Sequence, residues 1–154
     1  MTTTGKDETP SSTADDVEAA DFVRRFAEAW ANPSPDRLNS LVHPDVEFIQ
    51  PLERRVTGHQ QATRLWRRIF ARIPDLHGEV LSWGFRDGIV YIELRLIGTL
   101  GGRPIEWVSL DRIQLDNGKV RQRVAYFDPL SLISTVLRRP RAWRRWIAAQ
   151  RVRD

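Results

Sequence analysis

The 154-residue chain contains no cysteine and only one methionine, and lysine occurs only as Lys6 and Lys119. The lack of cysteine excludes disulfides, thiolate metal ligands and a cysteine nucleophile. No stretch approaches the ~20 consecutive apolar residues that a membrane-spanning helix needs. Residues 1–14 also lack the apolar run of a signal peptide. We therefore expect a soluble protein located in the cytoplasm.

The positive charge of the chain is concentrated near its C-terminus. The net charge is +4 at pH 7, but residues 138–154 alone hold seven arginines and one aspartate. Trp143, Trp146 and Ile147 fall on one face of a helix that can begin at Pro140, which predicts a basic amphipathic helix. This helix could fold back over the domain or contact an anionic membrane surface. A nucleic-acid partner is the least favoured alternative, because the segment is short and lacks a known nucleic-acid motif.

The N-terminal half is predicted to be helical after a disordered tail over residues 1–14, which are rich in Thr, Ser and charge. Asp15 or Asp16 can cap a first helix, which ends at Asn32-Pro33. Ser34-Pro35 begins a second helix, which His43-Pro44 stops. The apolar residues between His59 and Ile73 recur at helical spacing, so a third, amphipathic helix is expected there.

The second half carries the alternation and the turn signals of β-strands. Asp87-Gly88 and Asp116-Asn117-Gly118 are turn sequences, since these residue types tolerate a positive φ. The predicted strands are Val46–Ile49, Glu79–Arg86, Ile89–Gly98, Pro104–Leu115 and Lys119–Phe127. Asp128-Pro129 reads as the cap and first turn of a further helix. Helices followed by a four-stranded meander define an α+β domain over residues 15–137, followed by the tail at 138–154.

Several short stretches resemble the nuclear-transport-factor-2-like superfamily, in its SnoaL-like and limonene-epoxide-hydrolase-like branch. They are His-Pro-Asp-Val-Glu-Phe at 43–48 with Pro51 and Gly58, Asn-Gly-Lys at 117–119, and Tyr-Phe-Asp at 126–128. The resemblance implies a cone-shaped, curved antiparallel sheet that encloses a pocket with three N-terminal helices. It also implies a homodimer, because relatives commonly associate through the outer side of this sheet.

The catalytic residues of known relatives are mostly not matched. Limonene epoxide hydrolases have an Asp-Arg-Asp set. The resemblance places Leu94 at the arginine, Leu96 at the first aspartate and Ala125 at the second, and these residues cannot activate water. Where ketosteroid isomerases have their general base, the chain has Gln50, which cannot accept a proton. Only the oxyanion-side aspartate of the isomerases is matched, by Asp111. The resemblance therefore implies the fold and a pocket without a standard active site.

The hairpin around residues 116–118 allows a prediction of the pocket wall. A three-residue turn places Asp111 opposite Arg123, Ser109 opposite Ala125 and Trp107 opposite Phe127, all on one face. Small Ser109 and Ala125 would leave room for a ligand, and an apolar concave site with few polar groups is typical of small-molecule pockets. The rest of the predicted wall consists of Phe48, Gln50, Trp66, Phe70, Leu81, Trp83, Leu94 and Leu96.

Asp111 has two possible roles, an acid or base in catalysis or one half of a structural ion pair with Arg123. His43, His59 and His77 show no metal-ligand spacing, so neither a metal nor a cofactor is predicted. Three functional hypotheses remain open. The chain could bind a small terpenoid, steroid or polyketide-type molecule as an isomerase, cyclase or hydrolase, it could be a non-catalytic ligand-binding or accessory protein, or it could associate with membranes through its tail.

Overall fold

The computed structural model describes residues 13–150 and shows five helices within that range. They are α1 Thr13–Ala31, α2 Pro35–Ser40, α3 Gly58–Arg72, α4 Pro129–Leu137 and α5 Pro140–Gln150. α1 begins at Thr13, two residues before the predicted cap, so Asp15 and Asp16 lie in its first turn instead of capping it. There they face the positive end of the helix dipole. Residues 1–12 of the predicted N-terminal tail, and residues 151–154, lie outside the described part.

The strands form one curved, unclosed six-stranded sheet in the order β2-β1-β6-β5-β4-β3. They are β1 Val42–Ile49, β2 Val56–Thr57, β3 His77–Arg86, β4 Ile89–Leu100, β5 Arg103–Asp116 and β6 Lys119–Tyr126. The predicted α+β meander is confirmed for β3 to β6, which pair antiparallel. β1 pairs in parallel with β6 and starts at Val42, so His43-Pro44 lies inside a strand instead of only ending a helix.

The turn between β5 and β6 corrects the predicted register. Asp116 pairs with Lys119 across a two-residue turn, in which Asn117 and Gly118 both have a positive φ. An irregularity between Gln114 and Leu115 then shifts the pairing. Asp111 therefore lies opposite Ala125, and the predicted Asp111–Arg123, Ser109–Ala125 and Trp107–Phe127 cross-strand pairs are wrong by two residues. The shift is even, so these side chains still share the predicted face.

The core lies between the inner face of the sheet and helices α1 and α3. Phe22, Phe26 and Trp30 of α1 form an aromatic row with ring centroids 5.8 and 6.2 Å apart. Trp66 of α3 meets the edge of Trp30 at 6.0 Å, and Phe48 of β1 lies 5.3 Å from Trp66. Offset and edge-to-face aromatic contacts of this kind stabilise a core beyond the area that they bury. The row fixes α3 over the sheet.

The C-terminal helices fold back toward the domain. Asp128 caps α4 as predicted, because its Oδ1 accepts a hydrogen bond from the Leu130 amide at 2.9 Å. The Arg139 guanidinium donates to three backbone carbonyls of the β4–β5 turn at 3.0–3.1 Å. The Trp143 indole donates to the Val136 carbonyl at 2.9 Å. These bonds hold α5 against α4 and α3, which is the fold-back arrangement among the alternatives for the tail.

Candidate ligand pocket

A cavity of about 320 Å³ lies between α3, the inner face of the sheet and α4. Its wall is mainly apolar, and it comes from six helices and strands and three loops because the sheet curves around it. The lining residues are Trp30, Gln50, Pro51, Leu52, Glu53, Trp66, Ile69, Arg72, Ile73, Leu76, Leu96, Leu100, Trp107, Ser109, Arg123, Phe127, Leu132 and Ile133. The volume is at the lower end of the range for small-molecule sites, which runs from ~300 to ~1,000 Å³.

About half of the predicted pocket residues line this cavity. Those that do are Gln50, Trp66, Leu96, Trp107, Ser109, Arg123 and Phe127. Phe48, Leu94 and Ala125 are buried, and Phe70 of α3 packs against the core. Alternation along the strands places Phe48, Leu94 and Ala125 on the inner face of the sheet, but none of these four residues lines the cavity.

Leu81 and Trp83 do not belong to the pocket, and the reason is their position in the sheet. Both lie on β3, the edge strand, which has a register shift between Val80 and Ser82. Leu81 is at the shift and is 40% exposed, while Trp83 is opposite Ile92 and is 45% exposed. The sequence pattern predicted the inner face for both residues, but it could not show that this end of the edge strand is left uncovered.

Asp111 and Arg123 form a closed, buried ion pair. Arg123 Nε donates to Asp111 Oδ2 at 2.6 Å, and Arg123 Nη2 donates to Asp111 Oδ1 at 3.0 Å. The Ser109 hydroxyl also donates to Oδ1, at 2.9 Å. Asp111 is 0% exposed and does not line the cavity, whereas Arg123 is 7% exposed and does. The sequence prediction that these two residues pair is confirmed, through a diagonal contact instead of a direct one.

The polar side chains that line the cavity are mostly hydrogen-bond donors. The indole Nε1 atoms of Trp66 and Trp107 are buried and have no hydrogen-bond partner within residues 13–150. Arg123 Nη1 lies 3.3 Å from Gln50 Oε1, so the amide nitrogen of Gln50 is left as a further donor. Ser109 uses its only proton on Asp111. A ligand with acceptor oxygens would satisfy these groups, since an unsatisfied buried donor costs about 1–3 kcal/mol.

One side of the cavity mouth is formed by the loop between β1 and β2. Glu53 accepts from Arg68 and from Arg72 of α3, each at 3.0 Å, and this fastens the loop to the helix. Leu52 precedes it with a φ of 67° and a side chain that is 53% exposed. Leu52 and Glu53 are not among the residues predicted from the sequence. The only signal for this loop was the stretch from Pro51 to Gly58, which matched the family pattern.

The histidines have structural surroundings. His59 at the start of α3 is partly buried, and its Nε2 lies 3.0 Å from the Val42 carbonyl. His43 Nδ1 accepts from the Asp45 amide at 3.1 Å. Within the described range, no group of three or more His, Cys, Asp or Glu side chains is placed to hold a metal ion. In the same range, no helix is long and apolar enough to cross a membrane.

A curved, open sheet with helices over its inner face and a cavity at one end defines the nuclear-transport-factor-2-like fold. The model of the SnoaL-like domain family matches residues 23–123, about two thirds of the chain. The chain therefore belongs to the SnoaL-like family. No curated protein matches it significantly in sequence.

Solved structures agree with this assignment of the fold. A putative SnoaL-like polyketide cyclase from Jannaschia sp. CCS1 is 19% identical, with a TM-score of 0.67 over 84% of this chain and 96% of that one. An epoxide hydrolase of M. tuberculosis, described as similar to limonene epoxide hydrolase, is 20% identical, with a TM-score of 0.65 over 80% and 92%. TerC, crystallised with polyporic acid, is 14% identical, with a TM-score of 0.70 over 78% and 98%. At these identities the likeness shows the fold alone.

Proposed function

We propose that this chain binds a small hydrophobic molecule with acceptor oxygens in the cavity between α3 and the sheet. The observation that carries the proposal is a mainly apolar cavity lined by Trp66 and Trp107, whose buried indole donors have no hydrogen-bond partner among residues 13–150. The apolar wall favours a ring system of terpenoid, steroid or polyketide type. The donors favour carbonyl, quinone or carboxylate oxygens on that ring system.

The hydrogen bonds and the position of Asp111 favour a role in ligand binding over a role in catalysis. Both of its oxygens already accept hydrogen bonds from Arg123 or Ser109, and its side chain does not reach the cavity. A general acid or base must come within about 2.6–3.2 Å of the proton that it transfers. We therefore assign Asp111 the role of holding Arg123 and Ser109 in place, which leaves the chain a ligand-binding or accessory protein.

Titrations with candidate ligands test the binding directly, because the fluorescence of the cavity tryptophans reports occupancy. The panel contains a ketosteroid, a hydroxyquinone and a terpenoid ketone, each with a matched hydrocarbon that lacks the oxygens. Trp107→Phe removes one indole donor and keeps most of the apolar surface. It is expected to weaken binding of the oxygenated ligand about 3- to 10-fold, as one hydrogen bond of ~1 kcal/mol predicts, and to leave the hydrocarbon unchanged.

Trp83→Phe is the matched control, because Trp83 is exposed and outside the cavity. A second variant, Leu96→Phe, adds bulk to the cavity wall and should weaken every ligand, while Ile97→Phe on the outer face of the same strand should not. If Trp107→Phe bound both the oxygenated and the hydrocarbon ligand with the affinity of the wild-type protein, the proposed role of the Trp107 donor would be contradicted. Turnover of a ligand that Asp111→Asn abolishes, with the fold intact, would contradict the non-catalytic role.

A further inference from the structure

The cavity mouth is surrounded by two further depressions of opposite character. On one side, an apolar groove of about 350 Å³ lies between α4 and α5, and its lining is entirely apolar: Leu52, Leu132, Ile133, Val136, Leu137, Trp143 and Ile147. On the other side, a depression of about 480 Å³ is lined by five arginines together with Leu52, Glu53, Val56 and Gln61. Leu52 lines the cavity, the groove and the depression, so all three meet at this exposed side chain.

Several apolar side chains that line this mouth and the groove are exposed. Leu137 is 62% exposed, Ile147 54%, Leu52 53% and Trp143 45%. Single exposed apolar residues are common, but a cluster around a pocket mouth indicates a surface that another apolar phase covers. Together with the arginines of the depression and the exposed Arg141 and Arg144 of α5, these residues form what we call the Leu52 face.

Positive charge is concentrated in two segments of the chain, which the fold brings together. Residues 51–73 hold six arginines and one glutamate, and residues 129–150 hold five arginines and no acidic residue. The whole chain has a net charge of only +4, so everything outside these two segments is net negative. The sequence assigned the basicity to the C-terminal segment alone. The fold places α5 against α3 and so joins the two basic segments.

We infer that the Leu52 face docks on the surface of an anionic lipid bilayer and sets the cavity mouth against the lipid. The apolar side chains enter the boundary between headgroups and acyl chains, and the arginines bind anionic headgroups around them. Charge complementarity distinguishes a bilayer from a second copy of this chain, because two copies would bring two arginine-rich surfaces together. Docking on the bilayer does not depend on which molecule occupies the cavity. It would give a hydrophobic ligand a direct route from the membrane into the cavity.

Vesicle co-sedimentation of the full chain tests the docking. The probes are phosphatidylcholine vesicles with and without phosphatidylglycerol. The wild-type protein should bind the anionic vesicles, and rising salt should release it because exposed charges are screened. Arg141→Gln with Arg144→Gln should lower the partition coefficient about 30-fold, since each basic residue near an anionic surface contributes about 1 kcal/mol. Arg86→Gln with Lys119→Gln, at turns away from the mouth, is the charge-matched control and should have little effect.

An apolar pair of variants tests the insertion separately from the charge. Leu137→Glu should reduce vesicle binding at least about tenfold, because it replaces an exposed apolar side chain that would insert into the lipid with an acid near anionic headgroups. Val17→Glu is the matched control, because Val17 on α1 is 65% exposed and Leu137 is 62% exposed. Neither residue lines the cavity, so ligand titrations of both variants report separately on the proposed ligand binding.

Three results would overturn the docking: equal binding to neutral and anionic vesicles, equal losses in test and control variants, or a dimer in solution that Leu137→Glu splits.

Discussion

Replacing Arg123 with methionine isolates the energetics of the buried ion pair under the cavity wall. Asp111 is 0% exposed, and two of its three hydrogen bonds come from Arg123, at 2.6 and 3.0 Å. The variant leaves the carboxylate with Ser109 alone. Removal of one partner of a buried pair costs about 3–5 kcal/mol, because the other charge stays buried and uncompensated. For a chain of this size that corresponds to a melting temperature about 6–20 °C lower.

The reverse substitution, Asp111→Leu, should cost less. Arg123 lines the cavity and also donates to Gln50 at 3.3 Å, so its charge keeps a polar neighbour and access to the cavity. The double variant, Asp111→Leu with Arg123→Met, should recover most of the loss, since apolar residues of similar volume replace a buried pair at little or no cost. The order of stability is therefore wild type close to the double variant, then Asp111→Leu, then Arg123→Met.

Urea denaturation of the four proteins measures these free energies, and the double-mutant cycle gives the coupling between the two side chains. A coupling below about 0.5 kcal/mol, the scatter of independent sites, would refute the reasoning. So would a double variant that is less stable than both single ones. Such results would mean that the pair does not brace the wall, and the assignment of Asp111 as a structural residue would lose its main support.

Further substitutions test other parts of the fold. A hydrogen bond from the Thr99 side chain, and a second from the Thr99 amide at 2.8 Å, lower the pKa of the Asp75 carboxyl. The resulting stability is present above the unfolded pKa of ~3.9 and is lost as pH falls through the lower folded value. Because Asp75 is exposed and solvent screens its charge, Asp75→Ala should cost at most about 1 kcal/mol at neutral pH and less in acid, by urea denaturation at both pH values. Gly98→Ala should cost about 1–3 kcal/mol by the same assay, because its Cβ would overlap the Ile73 side chain; a neutral effect would contradict that packing. Leu110 is 45% exposed on the outer face of the sheet, where the family resemblance implies that a homodimer forms. Leu110→Arg should therefore convert the dimer to a monomer in light scattering, and a monomeric wild-type protein would contradict the dimer.

The local features of this fold follow closely from local sequence. Asp87-Gly88 and Asp116-Asn117-Gly118 predicted the positions of two of the three hairpin turns of the meander, because few residue types other than these adopt a positive φ at low cost. The alternation of apolar and polar residues in β4, β5 and β6 predicted which side chains face inward, including Asp111 and Arg123. These signals depend only on the backbone and on neighbouring residues.

Features that depend on contacts between distant segments could not be predicted in this way. The irregularity at Gln114 and Leu115 moved the register by two residues, and no residue type there marks it. The exposure of Trp83 follows from the position of β3 at the edge of the sheet, which only the complete strand order reveals. The role of Leu52 at the cavity mouth likewise requires the packing of its loop against α3 and α4.

The central claim is that the cavity binds a small hydrophobic molecule with acceptor oxygens, and native mass spectrometry of the protein purified from its own cells tests it most directly. The account predicts an additional mass on the folded protein, which organic extraction identifies as a hydrophobic ring compound with carbonyl or related oxygens. The same mass should be reduced in Leu96→Phe and retained in Ile97→Phe. A protein that is empty in this experiment, and whose melting temperature does not change with any ketosteroid, hydroxyquinone or terpenoid ketone, would contradict the account.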